Sequence, residues 1–83
     1  MNPLTGAVLA AEIRALLACE ISWEDFWDWM RDAMLRPHAP DVRPLYWQLI
    51  GRTDEYDRGD WTDEQLATFL RDIVARSAAL GDQ

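Results

Sequence analysis

The chain has 83 residues, with 15 carboxylates against eight arginines, no lysine and a net charge of −7. A chain of this length holds one domain with a small core. Its acidity argues against direct binding of nucleic acid, which requires a basic face, and against binding to anionic membranes. It favours a basic protein partner, which the negative charge would attract electrostatically.

Apolar residues recur at helical spacing through most of the chain, without strand-like alternation or a long-period repeat. Helices are predicted over about residues 5–19, 23–36, 42–55 and 63–80. We therefore expect an all-α fold, a small antiparallel four-helix bundle that forms a single domain over residues 1–83.

Three helix starts are predicted from capping residues. Ser22 and Thr62 are good N-caps, and Asp25 and Gln65 follow them at the third position of a capping box. Asp41 is predicted to cap the third helix, with a proline tolerated in the first turn.

The helix ends are less clearly marked. Pro37 is expected to end the second helix, and Gly81 the fourth. Gly51 either ends the third helix or lies inside a longer one at a cost of about 1 kcal/mol. A turn is predicted at residues 57–60. The apolar faces are predicted to contain Leu9, Ile13, Leu16 and Leu17; Phe26, Trp27, Met30, Ala33 and Met34; Val42, Leu45, Leu49 and Tyr56; and Leu66, Phe69, Leu70, Ile73, Val74 and Ser77.

Groups suited to catalysis are few, so we expect no enzymatic activity and no cofactor. His38 is the only histidine, and a lone imidazole in a proline-rich loop is expected to be a surface residue. Cys19 is the only cysteine and has no basic neighbour to lower its pKa. The absence of a possible internal disulfide, and a start over residues 1–6 without a basic signal-peptide region, fit a cytoplasmic protein.

Two other kinds of site are disfavoured by the residues present. A calcium loop starting at Asp54 would place Gly59 correctly, but Tyr56, Arg58 and Gln65 would then stand at ligand positions. A carrier domain would need a serine for a phosphopantetheine arm. Ser22 is predicted to be a helix cap and Ser77 lies deep in the last helix.

The acidic residues are concentrated locally, as a binding site requires. Residues 54–64 contain six carboxylates and one arginine. Asp63 and Glu64 suit the first turn of a helix, where carboxylates favour the helix dipole. The other four have no such role, and their mutual repulsion suggests a cationic partner. These candidate partner-binding residues are Asp54, Glu55, Asp57 and Asp60.

A second candidate surface lies on the second helix, where Asp25, Asp28 and Asp32 line one polar face. Trp29 lies at the edge of that face, and Trp47 points away from the apolar face of the third helix. The other tryptophans are expected to fill the core. Exposed tryptophan beside carboxylates is typical of an interface hot spot, but either tryptophan is equally compatible with the edge of the core.

Residues 16–26 and 54–66 resemble the two motif blocks of the bacterial self-protective, colicin D-like immunity proteins. In the first block, a leucine-rich helix end precedes Cys19-Glu20-Ile21-Ser22 and an acidic-x-Phe element ending at Phe26. The family often has glycine where this chain has Cys19. The second block contains an acidic Asp-x-Tyr region, Asp54-Glu55-Tyr56-Asp57, followed by an acidic helix start. The resemblance covers about residues 9–75.

This resemblance implies an antiparallel four-helix bundle that neutralises a cognate RNA-cleaving toxin. In that family the toxin binds tRNA in a basic cleft, and the immunity protein fills the cleft with carboxylates. Carried onto this chain, that role falls on Asp54, Glu55, Asp57 and Asp60, together with Asp25 and Asp28.

The predicted function is therefore that of an immunity-type inhibitor, monomeric when free, which occludes a basic nuclease toxin by nucleic-acid mimicry. One alternative is a phage-type acidic inhibitor of a host defence nuclease. Another is a helical regulatory adaptor that binds a protein other than a nuclease and depends mainly on tryptophan contacts. Gene neighbourhood would separate the first two hypotheses.

Overall fold

The computed structural model describes residues 3–80 and confirms an all-α fold. Four helices follow one another, and the antiparallel arrangement stays a prediction. Their bounds are α1 Gly6–Leu17, α2 Trp23–Met34, α3 Arg43–Asp57 and α4 Asp63–Leu80. No helix within residues 3–80 has the length and apolar character needed to cross a membrane.

The predicted caps of α2 and α4 are confirmed. The Ser22 hydroxyl accepts a hydrogen bond from the Asp25 backbone N–H at 3.0 Å, and the Thr62 hydroxyl accepts one from Gln65 at 3.1 Å. The Gln65 side chain also accepts from the Thr62 N–H at 2.9 Å, which completes a capping box. The Asp25 side chain makes no corresponding bond.

Two connections of five residues each join the helices in pairs: residues 18–22, the first connection, and residues 58–62, the second connection. Each begins with a Schellman motif, in which two backbone N–H groups return to carbonyls of the last helical turn. In the first, Cys19 and Glu20 donate to Leu16 and Ala15 at 3.0 and 2.9 Å. In the second, Gly59 and Asp60 donate to Tyr56 and Glu55 at 2.9 and 3.0 Å. Both connections therefore end one helix sharply and lead directly to the N-cap of the next.

A left-handed residue makes each of these turns possible. Gly59 has a φ of 88°, which glycine adopts without steric cost. Cys19 has a φ of 61°, a conformation that is uncommon for a residue with a side chain. The predicted end of α1 at residue 19 was therefore two residues late, because the helix closes at Leu17.

The start of α3 differs from the prediction. Its N-cap is Val42, which makes no side-chain capping hydrogen bond, so the assignment of Asp41 as the cap was wrong. Instead, a turn precedes the helix, in which the Ala39 carbonyl accepts hydrogen bonds from the backbone N–H groups of Val42 and Arg43 at 3.1 and 3.3 Å. Gly51 lies inside α3, and the helix continues to Asp57.

The second helix ends at Met34, two residues before its predicted end, and its last turn is followed by a segment tied to the N-terminus. Leu4 donates to the Pro37 carbonyl at 2.8 Å and accepts from the Ala39 N–H at 2.9 Å. His38 was predicted to be a surface residue but is half-buried, and its Nε2 lies 3.0 Å from the Ala33 carbonyl oxygen. Gly81, the predicted end of α4, lies outside the described residues.

All four helices contribute to one core. Most of the predicted apolar faces are buried, but Met34 is 45% exposed, contrary to the prediction. Tyr46 was missed by the sequence analysis. Its ring is fully buried and its hydroxyl donates to the Met30 carbonyl at 2.6 Å, linking α3 to α2. The largest fully buried side chains are those of Tyr46, Phe26, Leu4, Leu9, Ile13, Met30, Leu49 and Ile73.

Candidate functional site

The acidic segment, residues 54–64, spans the last turn of α3, the second connection and the first turn of α4. Two separate helix ends therefore hold these carboxylates on a short, well-capped stretch of chain. The side chains of Asp54, Asp57 and Asp60 are exposed, whereas Glu55 is half-buried. The four predicted partner-binding residues of this segment thus lie within seven consecutive residues, and three of the four are exposed to solvent.

Two arginines lie among these carboxylates and reduce the local negative charge. Arg58 lies 3.7 Å from Asp54 and 3.9 Å from Asp60, and Arg52 pairs with Glu55. Among the four predicted residues, Asp57 forms no ion pair within residues 3–80. Exposed pairs of this kind contribute roughly 0–1 kcal/mol, so a cationic partner can compete for the carboxylates at little cost.

Asp63 serves a structural role that the sequence analysis only partly anticipated. Tyr56 donates its phenolic hydrogen to the Asp63 carboxylate, joining the end of α3 to the start of α4. This hydrogen bond is the main cause of a raised pKa for Tyr56. The Tyr56 ring also meets Trp23 edge-on, with ring centroids 5.2 Å apart. Tyr56 of α3 therefore contacts the first residue of α2 and the first residue of α4.

The aspartates of α2 are exposed, as a binding face requires. Asp28 pairs with Arg31, and Asp32 lies 3.6 Å from Arg36. Asp25 forms no ion pair within the described part of the chain. Because Asp28 is matched by an arginine on the same helix and Asp32 by one just after it, this face carries less uncompensated charge than its aspartates suggest.

The two candidate tryptophan anchors differ in their surroundings. Trp29 is half-buried and stacks on Phe26, with centroids 6.2 Å apart, so it lies at the edge of the core. Trp47 is 50% exposed and touches Tyr46 edge-on at 5.4 Å. Trp47 is therefore the tryptophan that leaves apolar surface available to a partner.

A groove beside the acidic segment was not anticipated, because Trp61 had been assigned to the core. The groove has a volume of about 630 Å³ and lies against the first turns of α4. We call it the Trp61 groove; its lining residues are Trp61, Thr62, Glu64, Gln65, Thr68 and Phe69. Trp61 and Phe69 meet edge-on with centroids 5.7 Å apart, and the Arg52 guanidinium lies 5.8 Å from the centroid of Trp61. Trp61, Gln65 and Phe69 recur at four-residue spacing, and this spacing was the sequence signal that could have predicted the groove.

A second, more apolar cleft of about 370 Å³ is lined by residues around the first connection, by the end of α3 and by the start of α4. Leu16, Cys19 and Trp23 line it on the first side, and Tyr56, Asp63 and Leu66 on the second. Cys19 is an exposed free thiol at its margin. Within residues 3–80, no three of the side chains that commonly bind metals are grouped to hold an ion.

Comparisons with protein-family models, with curated proteins and with solved structures found no match for this chain. The resemblance to the colicin D-like immunity proteins stays a prediction that depends on the two motif blocks.

Proposed function

We propose that this chain is an immunity-type inhibitor that binds the basic active-site cleft of a cognate RNA-cleaving toxin. The observation that supports this most is the acidic segment, in which six carboxylates and one arginine fall within eleven consecutive residues, 54–64. A cleft built to bind RNA is lined with cations, and a row of carboxylates can occupy the positions of phosphates.

The mechanism is occlusion without chemistry. Carboxylates of the acidic segment steer the toxin by long-range attraction and then contact the cations that otherwise hold the RNA backbone. Arg52 and Arg58 hold several of these carboxylates in place in the free protein. On binding, the toxin's cations replace or join these exposed pairs, which are individually weak. A phage-type inhibitor of a defence nuclease would use the same surface against a different target.

The test begins with the immobilised chain and a lysate of its source cells, followed by an assay of any captured protein for RNA cleavage. Addition of the free chain is expected to abolish that cleavage at a one-to-one ratio. Captured protein without nuclease activity, or a nuclease that the chain does not inhibit, contradicts the proposal.

A charge-neutralised variant tests the surface, by combining Asp54→Asn, Glu55→Gln, Asp57→Asn and Asp60→Asn. Binding is expected to weaken by on the order of 2 kcal/mol or more if the pairs are desolvated in the complex, and to depend less on salt. A matched control removes four exposed carboxylates elsewhere: Glu20→Gln, Glu24→Gln, Asp41→Asn and Asp72→Asn. Equal weakening by both sets would mean that only the net charge matters, and that the acidic segment is not the site.

The half-exposed Trp47 favours the adaptor as a second candidate function. An adaptor that binds by an aromatic anchor would lose most affinity in Trp47→Ala and little in the neutralised variant. Trp29→Ala is a less direct test, because Trp29 packs on Phe26 and its removal also disturbs the core edge. Wild-type binding by the neutralised variant, together with loss of binding in Trp47→Ala, would replace the inhibitor proposal with the adaptor.

A further inference from the structure

The Trp61 groove combines an aromatic wall with an unpaired carboxylate. Trp61 is half-buried, so its ring is held by the protein while part of its surface remains accessible. Glu64 lines the same groove, is exposed, and forms no ion pair within residues 3–80. Thr62, Gln65 and Thr68 add polar oxygens around the aromatic surface.

The groove lining contains one charged side chain, that of Glu64. Asp60 precedes Trp61, and Asp63 and Glu64 follow Thr62. Arg58, which partly compensates Asp60, belongs to the connection and does not line the groove. A cation entering the groove therefore meets the free carboxylate of Glu64. Asp60 lies near Arg58, and Asp63, which accepts from Tyr56, lines the other cleft.

The molecule itself already places a guanidinium against this tryptophan. The Arg52 carbon Cζ lies 5.8 Å from the ring centroid of Trp61, within the range of a cation–π interaction. Arg52 is not among the residues that line the groove. The groove has a volume of about 630 Å³ and is open to solvent, so it suits one side chain laid along the surface better than an enclosed ligand.

We propose that the Trp61 groove binds an arginine side chain presented by the basic partner protein. The guanidinium stacks against the accessible part of the Trp61 ring, and its N–H groups donate to the Glu64 carboxylate. Arginine fits better than lysine because it is planar, stacks on aromatic rings and donates to a carboxylate through two N–H groups. This inference rests on the proposed function for the identity of the partner, and it names the contact that complements the acidic segment.

The test uses a blocked Gly-Arg-Gly peptide as the probe, titrated into isotopically labelled chain and followed by NMR. Saturable shifts are expected at the Trp61 indole N–H and at the Thr68 and Phe69 amides. The corresponding citrulline peptide, which keeps the shape and loses the charge, is expected to give no saturable shift. Shifts spread evenly over all exposed carboxylates, or equal shifts with citrulline, would overturn the proposal.

A matched pair of variants isolates Glu64. Glu64 and Glu24 occupy the same position, the second residue, in α4 and α2, so Glu64→Gln and Glu24→Gln remove the same interaction with a helix dipole. Only Glu64 lines the groove. Glu64→Gln is expected to weaken binding of the arginine peptide about threefold, the effect expected for loss of one solvent-exposed charge pair. Equal effects of the two variants would show that the peptide responds to net charge alone.

Occupation of the groove from within the chain gives an independent test. Thr68→Arg places a guanidinium at an exposed helical position that lines the groove, and Ala75→Arg adds the same charge at an exposed position of α4 outside it. The first variant is expected to abolish binding at the groove and the second to reduce it only slightly. Similar binding by both variants would overturn the proposal.

The results separate this inference from the proposed function. Groove binding without inhibition of a nuclease would retain the arginine site and reject the inhibitor. Inhibition that persists unchanged in Glu64→Gln and Thr68→Arg would retain the inhibitor and reject the arginine site.

Discussion

The first and second connections have the same length and the same pair of backbone hydrogen bonds, yet their side chains differ at the decisive positions. The left-handed position holds Cys19 in the first and Gly59 in the second. After the first connection, Ser22 caps α2 by accepting a single hydrogen bond. After the second, Thr62 and Gln65 form a reciprocal capping box. Two helix-to-helix connections with the same backbone hydrogen bonds are therefore built from different side chains.

The difference separates structural from functional demands on a short loop. The backbone requires a left-handed residue and a hydroxyl cap, and both connections provide them. Each connection holds one carboxylate, Glu20 or Asp60, but the helix turn before the second connection adds Asp54, Glu55 and Asp57, whereas the turn before the first, residues 14–17, has none. Nothing in the turn geometry requires that extra charge, which is why the second connection is the better candidate for a binding surface.

The largest stability effect is expected for Gly59→Ala. A side chain at a φ of 88° is strained, and this strain outweighs the lower entropy of the unfolded alanine chain, so a net loss of more than about 1 kcal/mol is expected. The new Cβ would meet no atom within 4 Å, so the loss is expected to come from the backbone alone. Urea unfolding of the two proteins measures it. Gly51→Ala is the control: its Cβ also meets no atom, and inside a helix it is expected to stabilise by up to about 1 kcal/mol.

The caps come next in expected size. Ser22→Ala and Thr62→Ala should each cost about 1 kcal/mol, because each leaves a helix N–H without its hydroxyl acceptor. Gln65→Ala should also lower the free energy of unfolding, because it removes the reciprocal bond from the Thr62 N–H, whereas Asp25→Ala removes no such bond. Chemical denaturation of the four variants checks this, and unchanged midpoints in both hydroxyl variants would contradict the observed caps.

Replacement of Cys19 with glycine should make the first connection more like the second. Cys19→Gly removes the strain of a φ of 61° but increases the freedom of the unfolded chain, so a net gain of about 0.5–1 kcal/mol is expected. Cys19→Ala keeps the strain and is the control, with little change expected. Equal stability of the two variants would show that the left-handed backbone at this position carries no net strain.

The starts of α2 and α4 were predictable because a hydroxyl followed by a polar acceptor is a local signal that needs no tertiary context. The sharp end of α1 was not, since no propensity rule places cysteine in the left-handed region. The false cap at Asp41 has a similar origin: a turn at Ala39 supplies the first amide interactions before the helix begins. Contacts between distant segments, such as Leu4 with Ala39, leave no local pattern.

The candidate site was predictable in its charge but not in its pairing. The sequence located the carboxylates of residues 54–64, since charge is a property of composition. It did not reveal that Arg58 lies near both Asp54 and Asp60, or that Arg52 reaches Trp61, because those contacts depend on the path of α3 into the second connection. The Trp61 groove depends on the same path.

The smallest expected effect concerns Tyr56, which contacts the first residues of α2 and α4. Its hydroxyl donates to Asp63, and this bond is the first cause of its raised pKa. A folded-state pKa above the unfolded value contributes stability that is present below the unfolded pKa and lost as pH rises through the folded one. Wild type should therefore exceed Tyr56→Phe by about 0.5 kcal/mol near neutral pH, the low end for a water-exposed hydrogen bond.

That advantage should disappear as the pH rises through the alkaline range above the ordinary tyrosine pKa of 10.0. The phenylalanine ring keeps the edge-on contact with Trp23, so the comparison isolates the hydroxyl. Tyr46, whose pKa is raised by burial, titrates in both proteins and cancels from the difference. Urea midpoints of both proteins at several pH values give the measurement. If the difference in stability between the two proteins stays constant into the alkaline range, the hydrogen bond to Asp63 makes no contribution and Tyr56 acts through its ring contact with Trp23 alone.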